Sequence, residues 1–358
     1  MLGRVGFFLL FFLLETVPLV GPPGGQLIRV DSMTSARAKH SATLLYNGTV
    51  LLAGGVGNNG ILLSSAELYD PSTRKFTPTG NMIQARAGHS AVRLINGSVL
   101  IIGGLGSNGA LDSCEIYDPV SRKFLPTASL HTPRAGATAT RLQDNRVLVV
   151  GGFGSDGQDI ARAEIYDRNA KFSLAATMST PRSFHTATLL PHECVLITGG
   201  TREKEPLSSA ELYSAEVNRF LALPNMSVAR TRHAAVALPT GNVLVAGGAN
   251  GNNQRGIAMT EIFDLSNRKF LAGGLMLQPH LDLPDPLVLS GGKVLVVGGA
   301  GIREIYDPSN NTFVAATGTT ERFPLYQGAT LLSDGNVLVT GGANQKGQST
   351  DHAYVYVH

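Results

Sequence analysis

Short runs of apolar residues, each ending in a Gly-Gly pair, recur along almost the whole chain. A run of four consecutive apolar residues, such as 147–150, has the length of one strand and is typical of a strand buried on both faces. The pairs are spaced by 49, 48, 48, 48, 51 and 43 residues. They begin at Gly54, Gly103, Gly151, Gly199, Gly247, Gly298 and Gly341. A repeat of this length predicts the blades of a β-propeller.

Each repeat has the hydrophobic pattern of four antiparallel strands. A small, partly apolar strand such as 89–94 comes first, and a turn such as Asn96-Gly97 joins it to the apolar run, because both turn residues tolerate a positive φ angle. A third strand of the type 66–70 follows. The fourth strand begins at a phenylalanine in six repeats, namely Phe76, Phe124, Phe172, Phe220, Phe270 and Phe313. This order places the loops after the Gly-Gly pairs beside the starts of the first strands, on what we call the upper face.

These repeats resemble the Kelch motif, whose marks are a Gly-Gly pair, a tyrosine and a later tryptophan. Phenylalanine stands at the tryptophan position throughout this chain, as in the pair Tyr69 and Phe76, and it keeps an aromatic ring for blade packing. The resemblance covers residues 26–358. It implies an all-β, seven-bladed Kelch-type β-propeller with four antiparallel strands in each blade.

The two ends of the repeat region predict how the ring closes. Leu27 falls where Phe76 falls in the next repeat, and Met33 lies seven residues before His40, as Met82 lies seven before His89. The chain therefore opens with a fourth strand that has no blade of its own. The last repeat stops after its third strand, at 354–357. We expect residues 26–31 to supply the missing outer strand of the last blade.

Residues 1–21 differ from the rest of the chain. Arg4 precedes ten apolar residues, 5–14, which suit the core of a signal peptide and fall short of the roughly 20 needed to span a bilayer as a helix. We interpret 1–21 as a signal peptide or an uncleaved anchor and 22–25 as a linker, although no clear cleavage motif follows. The protein is then expected to be secreted, extracellular or periplasmic. Cys114 and Cys194 fall in blades that are not neighbours, so we expect two free thiols.

Composition narrows the range of partners. The chain is 43% hydrophobic and only 15% charged, with 42 glycines, which fits an all-β protein with many tight turns. The net charge of +3 and the absence of a basic run interleaved with aromatic residues disfavour nucleic-acid binding. We expect a monomer without a cofactor. Sequons at Asn47, Asn96 and Asn310 lie on the lower face, where glycans would block contacts in a eukaryotic secretory route.

An Arg-x-x-His pattern stands at the start of the first strand in four repeats, and a fifth repeat keeps the arginine alone. The residues are Arg37, His40, Arg86, His89, Arg134, Arg182, His185, Arg230 and His233. Either they form a polar rim that binds a ligand on the upper face, or they bond backbone carbonyls and neighbouring blades. A metal site is disfavoured because adjacent blades hold the histidines apart. The sixth and seventh repeats have Pro284 and Gln327 at the histidine position, so we expect a ligand nearer the first five blades.

A glutamate also recurs in the third strand of six repeats. These are Glu67, Glu115, Glu164, Glu211, Glu261 and Glu304. Six equivalent carboxylates favour a structural role, because one reaction needs one asymmetric arrangement. We expect each to pair with an arginine or with backbone N–H groups.

Two classes of function remain open. The galactose-oxidase family of Kelch-type propellers binds copper through a Tyr-His pair, but this chain has His without Tyr four times and Tyr326 without His once. A second resemblance, to secreted sialic-acid mutarotases of the Kelch class, implies only polar groups at the rim. The variable polar loops of the upper face are typical of recognition. We favour a non-catalytic scaffold that binds a protein or glycan, and keep a carbohydrate-active enzyme as the alternative.

Overall fold

The computed structural model describes residues 25–251, 256–284, 286–298, 302–316, 324–344 and 346–358. The predicted signal peptide or anchor at 1–21, and all of the linker except Gly25, lie outside the described residues. So does most of the short loop 300–302 of the sixth repeat. Across the described part of the chain, no helix is both long and apolar enough to cross a membrane.

Seven four-stranded antiparallel sheets confirm the predicted blades. The strands of the first four blades are Ser41–Leu44, Val50–Ala53, Ala66–Asp70 and Lys75–Pro78; Ser90–Arg93, Val99–Ile102, Cys114–Asp118 and Lys123–Pro126; Thr138–Arg141, Val147–Val150, Arg162–Tyr166 and Phe172–Thr177; Thr186–Leu190, Cys194–Thr198, Ala210–Ser214 and Arg219–Leu223. Those of the last three are Ala234–Ala237, Val243–Ala246, Ile257–Asp264 and Lys269–His280; Leu287–Val288, Val294–Val296, Glu304–Asp307 and Thr312–Ala315; Gly328–Leu331, Val337–Thr340, Ala353–Val357 and Gln26–Arg29.

Burial follows the predicted hydrophobic pattern. The first strands of neighbouring blades contact one another and surround a central channel, while the fourth strands lie at the outside. Every residue of a second strand such as Val147–Val150 is buried, because each of its faces packs against a neighbouring blade. The phenylalanine of the fourth strand packs on an aromatic ring of the third, as in Tyr117 and Phe124, whose ring centroids are 4.8 Å apart. Phenylalanine thus takes the packing place of the tryptophan.

Small accessory elements lie among the upper-face loops. They are the hairpins Leu105–Gly106 with Gly109–Ala110 and Thr201–Arg202 with Glu205–Pro206, and the 3-10 turn Asn58–Gly60. Isolated bridges such as Ala38 to Val56 join the residue after a Gly-Gly pair to the segment before the first strand. These bridges place the loops and the strand starts on one face, as the strand order predicted. Cys114 and Cys194 lie in different blades and are both free thiols.

The ring closes as predicted. Gln26–Arg29 pairs antiparallel with the third strand of the seventh blade, with Leu27 opposite Tyr356. The side chain of Leu27 is 6% exposed and packs in one cluster with Leu295 and Tyr356. Both ends of the repeat region therefore share one sheet, which leaves no unpaired strand edge at the seam.

Shortening Leu27 is expected to weaken this seam. Leu27→Ala should lower the free energy of unfolding by about 2–5 kcal/mol, because it removes buried methyl groups and leaves a cavity. Gln26→Ala, at an exposed position of the same strand, should change it by less than about 0.5 kcal/mol. Urea unfolding measures both values. Equal values for the two variants would show that the strand does not seal the ring.

Candidate functional site: the upper mouth of the channel

The five arginines of the predicted rim are buried inside their blades. Each is 0–1% exposed. Arg182 is representative: its Nη1 donates to the carbonyls of Gly199 and Ser209 at 2.7 and 3.0 Å, and its Nη2 donates to Glu211 at 3.1 Å. Burial lowers the pKa of this guanidinium, and the Glu211 carboxylate opposes the shift. These contacts favour the structural interpretation of the arginines, and their role in ligand binding stays a prediction.

The recurring glutamates hold neighbouring blades together. Glu211 also accepts backbone N–H groups of Ser179 and Thr180, at 2.8 and 3.2 Å, from the segment that enters the blade from the previous one. Four other glutamates also accept two backbone N–H groups each, and Glu67 accepts the N–H and the hydroxyl of Thr34. The expectation that these carboxylates pair with arginine or with backbone N–H groups is confirmed, and both kinds of contact are present.

The four histidines bridge neighbouring blades around the channel. Nε2 of His89 lies 2.9 Å from the Ser41 hydroxyl of the preceding blade, and Nε2 of His185 lies 2.9 Å from the Thr138 hydroxyl. His40 and His233 make equivalent contacts with blades seven and four. Desolvation lowers the pKa of His185 to about 3, with a further contribution from Arg182. Within the described ranges, no three His, Cys, Asp or Glu side chains are grouped as metal ligands would be.

The sixth blade uses different residues for the same contacts. His280 takes the place of the arginine: its two ring nitrogens lie 3.0 Å from the Gly298 carbonyl and 2.9 Å from Glu304. Leu283, rather than Pro284, packs against Gly247 where a histidine packs in other blades. The spacing from the Gly-Gly pair pointed to Pro284 because this blade has one more residue ahead of its first strand. Sequence reasoning therefore missed His280.

In each blade, the segment that leads into the first strand contains one mouth residue with a positive φ angle. The seven residues are Lys39, Gly88, Gly136, Phe184, Arg232, Asp282 and Tyr326, with φ between 51° and 62°. Backbone hydrogen bonds join six of the blade boundaries here, as in Gly88 N–H to the Lys39 carbonyl at 3.0 Å. At the boundary of blades five and six, the donor is Leu283 and the acceptor is Arg232, at 3.2 Å. The bonds hold this ring of residues at the upper mouth of the channel.

The side chains of this ring converge on one side of the mouth. Nζ of Lys39 lies 4.3 Å from the centre of the Tyr326 ring. The guanidinium carbon of Arg232 lies 4.9 Å from the Phe184 ring centre and 5.9 Å from that of Tyr326, and its Nη1 donates to the Tyr326 hydroxyl at 3.4 Å. Asp282 interacts with the same hydroxyl. Two cations, a carboxyl and two aromatic rings therefore share the mouth.

Burial and mutual interactions shift the pKa values of the charged groups at the mouth. Burial raises the pKa of Asp282 to about 6, although Arg232 and Lys39 oppose the shift. One oxygen of this carboxyl, Oδ2, is buried and has no hydrogen-bond partner within the described part. Desolvation and the Arg232 charge both lower the pKa of Lys39. The mouth therefore carries two positive charges and a carboxyl that titrates close to neutral pH.

The opposite side of the mouth is open. A side chain on Gly88 would have nothing within 4 Å, whereas one on Gly136 would come within 2.9 Å of the Phe184 ring. Below the mouth lies a cavity of about 400 Å³. It is lined by the first strands of blades two to four and by Phe184, Arg232 and Asp282. On the Gly88 side, no side chain of the described residues separates this cavity from the mouth residue position.

None of these mouth residues was among the predicted site residues. In the sequence, this position could have been recognised by its variability. Across the seven repeats it holds Lys, Gly, Gly, Phe, Arg, Asp and Tyr, whereas the positions on either side of it repeat more closely. An asymmetric site must break the repeat, and this position does so in every blade except two. The predicted histidines lie directly after it in sequence. The convergence of Lys39 with Tyr326, 287 residues later, depends on closure of the ring.

Comparison with known proteins agrees with the fold. Residues 85–131 match the family model of the Kelch motif. No curated protein has a significant sequence match to the chain. Residues 85–131 therefore carry a Kelch motif, and the chain as a whole is a seven-bladed β-propeller whose other blades have the same strand pattern.

Many solved structures are similar to the chain, and two of them serve as examples. One is a novel fungal alcohol oxidase of the AA5 family in complex with copper, with a TM-score of 0.76 and 15% identity over 93% of this chain and 76% of that chain. The other is YjhT, with a TM-score of 0.63 and 11% identity over 80% of this chain and 99% of that chain. At these identities, the similarity shows a shared fold alone.

The residues at the mouth do not fit a copper site of the kind that the galactose-oxidase resemblance implies. Tyr326 is followed by Gln327 rather than by histidine, and it contacts the Lys39 and Arg232 cations. The nearby Nε2 atoms of His40 and His89 are engaged with hydroxyl groups of the preceding blades. Two cations beside the tyrosine oppose the binding of a further positive ion such as copper.

Proposed function

We propose that this protein is a secreted or periplasmic binding module that recognises a glycan or a protein at the upper mouth of its channel. The observation that carries the proposal is that a position which differs between the blades places Lys39, Arg232 and Asp282 around one mouth above a cavity of about 400 Å³. Concave sites with a few polar groups among apolar and aromatic side chains are typical ligand sites.

The chemistry of the mouth suits a polar ligand that carries anionic or hydroxyl groups. Arg232 and Lys39 supply donors, and the faces of Phe184 and Tyr326 supply flat apolar surfaces. Asp282 accepts hydrogen bonds when ionised and donates one when protonated. The ligand would therefore be a sugar, or the polar end of a protein segment, that enters from the Gly88 side.

A carbohydrate-active enzyme is the second candidate, supported by one observation. Asp282 has a pKa of about 6 and lies beside the Tyr326 hydroxyl, and a carboxyl that titrates near working pH suits general acid–base chemistry. In that case Asp282 would exchange a proton with a sugar hydroxyl, and Arg232 would orient the substrate. Turnover of a bound sugar by the wild type, lost in Asp282→Asn at unchanged affinity, would favour this candidate over a binding module.

Removing the Arg232 guanidinium is expected to abolish most binding. A glycan array and an extracellular-protein pull-down identify the ligand, and Arg232→Ala should then weaken its affinity by more than about ten-fold, the loss of one charged hydrogen-bond donor. The melting temperature should move by only a few degrees. Arg202→Ala, at an exposed upper-face loop, is the control and should leave affinity unchanged. Equal affinity of Arg232→Ala and wild type would place the ligand elsewhere.

A further inference from the structure

A second cavity lies on the upper face beside the channel mouth, and we call it the side cavity. It has a volume of about 500 Å³ and lies between the loops of the third and fourth blades. Phe184 lines both the side cavity and the cavity below the mouth. A ligand that occupies the mouth and continues into the side cavity would therefore contact Phe184.

Two phenylalanine rings line the side cavity together. Phe153 directly follows the third Gly-Gly pair, and its ring centre lies 5.6 Å from that of Phe184, with the two planes tilted by 41°. Both side chains are half-buried. In the six other repeats, the residue after the Gly-Gly pair is Val, Leu, Thr or Ala. The sequence therefore places two aromatic residues in this arrangement at one blade boundary only.

Backbone hydrogen bonds fix the segments that carry the two rings. Phe153 exchanges two bonds with Ala135, at 2.9 and 3.0 Å. Phe184 donates its N–H to the Gly136 carbonyl at 3.1 Å, and its carbonyl accepts the N–H of Arg232 at 3.0 Å. The guanidinium carbon of Arg232 also lies 4.9 Å from the Phe184 ring centre. Rings that are ordered in advance lose little entropy on binding, which favours affinity.

Gly136 makes room for both rings. A Cβ atom there would come to 2.9 Å from the Phe184 ring and 3.3 Å from the Phe153 ring. Gly88 has a similar backbone, with a φ angle of 58° compared with 62°, but a Cβ atom there would have nothing within 4 Å. The two glycines therefore form a matched pair, because alanine strains the backbone at both positions and displaces the rings at only one.

A fixed carboxylate lies in the same cavity as the rings. Asp159 forms a backbone bridge with Phe153. Its side chain accepts the Ser183 hydroxyl at 2.6 Å and the Glu203 N–H at 2.8 Å, and so joins the loops of the two blades. An ionised carboxylate has about four acceptor sites, and these contacts use two of them. Asp159 can therefore also accept hydroxyl groups of a ligand that lies against the rings.

We propose that the upper face binds a linear glycan of two or more sugar units, with one unit at the channel mouth and the next against Phe153 and Phe184. This inference rests on the proposed function, because it takes the mouth as the first binding position. A sugar ring combines a flat face of C–H groups with hydroxyl groups at its edge, which matches aromatic rings beside a fixed acceptor. Two compact cavities of about 400 and 500 Å³ suit small cyclic units. A protein partner needs instead about 800 Å² of contact surface on each side.

The dependence of affinity on chain length is the direct test. The full-length protein is titrated by calorimetry with cello-oligosaccharides, chito-oligosaccharides and oligogalacturonides, each from the single sugar to the hexasaccharide. In a series that binds, the trisaccharide should bind more than about ten-fold more tightly than the single sugar. Equal affinities along the series would overturn the inference. The absence of binding in all three series would also overturn it, whether or not an extracellular protein binds.

Phe153→Leu should remove the advantage of the longer chain. Leu105 holds the equivalent position in the second blade, where it pairs with Ala87 as Phe153 pairs with Ala135, so the fold accepts leucine there. The affinity for the trisaccharide should fall by more than about ten-fold, towards that of the single sugar, whose own affinity should change by less than about two-fold. An unchanged ratio of the two affinities would refute contact between the glycan and the rings.

The matched glycines separate ring displacement from backbone strain. Gly136→Ala should lower the affinity ratio of trisaccharide to single sugar by more than about ten-fold, whereas Gly88→Ala should keep the ratio. Equal ratios in the two variants would contradict the role of the rings. Arg232→Ala should weaken the binding of both sugars, because it removes a donor at the mouth. Full affinity for both sugars in Arg232→Ala would refute the proposed function, whereas a missing effect of chain length refutes only the extension into the side cavity.

Discussion

Arg182→Ala is expected to lower the free energy of unfolding by about 3–5 kcal/mol. The substitution leaves the Glu211 carboxylate buried without its charged partner and leaves the Gly199 carbonyl without its donor. Both side chains are 0–2% exposed, so water cannot replace the lost contacts. Urea unfolding, followed by the aromatic signal, measures the loss.

A surface ion pair is the matched control. Arg146→Ala breaks the partly exposed pair with Asp144 and should cost about 1 kcal/mol or less. If Arg182 instead belongs to a ligand-binding rim, Arg182→Ala would weaken binding by more than about ten-fold while the melting temperature stayed within a few degrees. That result would restore the rim interpretation and refute the structural one.

Stability is expected to fall as pH falls from about 7 towards 4. The pKa of His185 is lowered to about 3 in the folded state, so between that value and about 6.5 only the unfolded chain binds its proton. The contribution of neutral His185 to the free energy of unfolding is therefore fully present above the unfolded pKa and is lost as pH falls. For His185 the loss amounts to about 2 kcal/mol at pH 5. His40 and His89, whose pKa values are also lowered to about 3, act in the same direction.

Two variants with opposite expected signs check this prediction. His185→Gln should shrink the difference in unfolding free energy between pH 7 and pH 5 by about 2 kcal/mol. Asp282→Asn should enlarge the difference by about 1 kcal/mol, because the raised pKa of Asp282 makes the native protein gain stability as pH falls through 6. The hydrogen-bonded turn carboxylates such as Asp70, whose pKa is lowered, act only below about pH 4. An unchanged difference in His185→Gln would show that another group controls acid sensitivity.

The strand pattern and the ring closure were predictable from sequence because both depend on local spacing. A buried strand such as 147–150 is apolar at every position, and hairpin turns need residues that tolerate positive φ. The position of Leu27 followed from the same spacing, since a closed ring must pair its first strand with its last blade. The structural role of the glutamates was also predictable, because six equivalent carboxylates do not make one reaction site.

The candidate sites depended on the tertiary structure. Burial of Arg182, contact of Lys39 with Tyr326, and the raised pKa of Asp282 each involve residues brought together from different strands or blades. The spacing of residues along the sequence does not determine whether an arginine at a strand start points into its own blade or towards the channel. It also assigned Pro284 where Leu283 packs, because one extra residue before a strand shifts a contact without changing the apolar pattern. The sequence by itself determined the number and order of the strands through local hydrophobic periodicity, whereas ring closure decided which side chains share a mouth, a cavity or a buried charge pair.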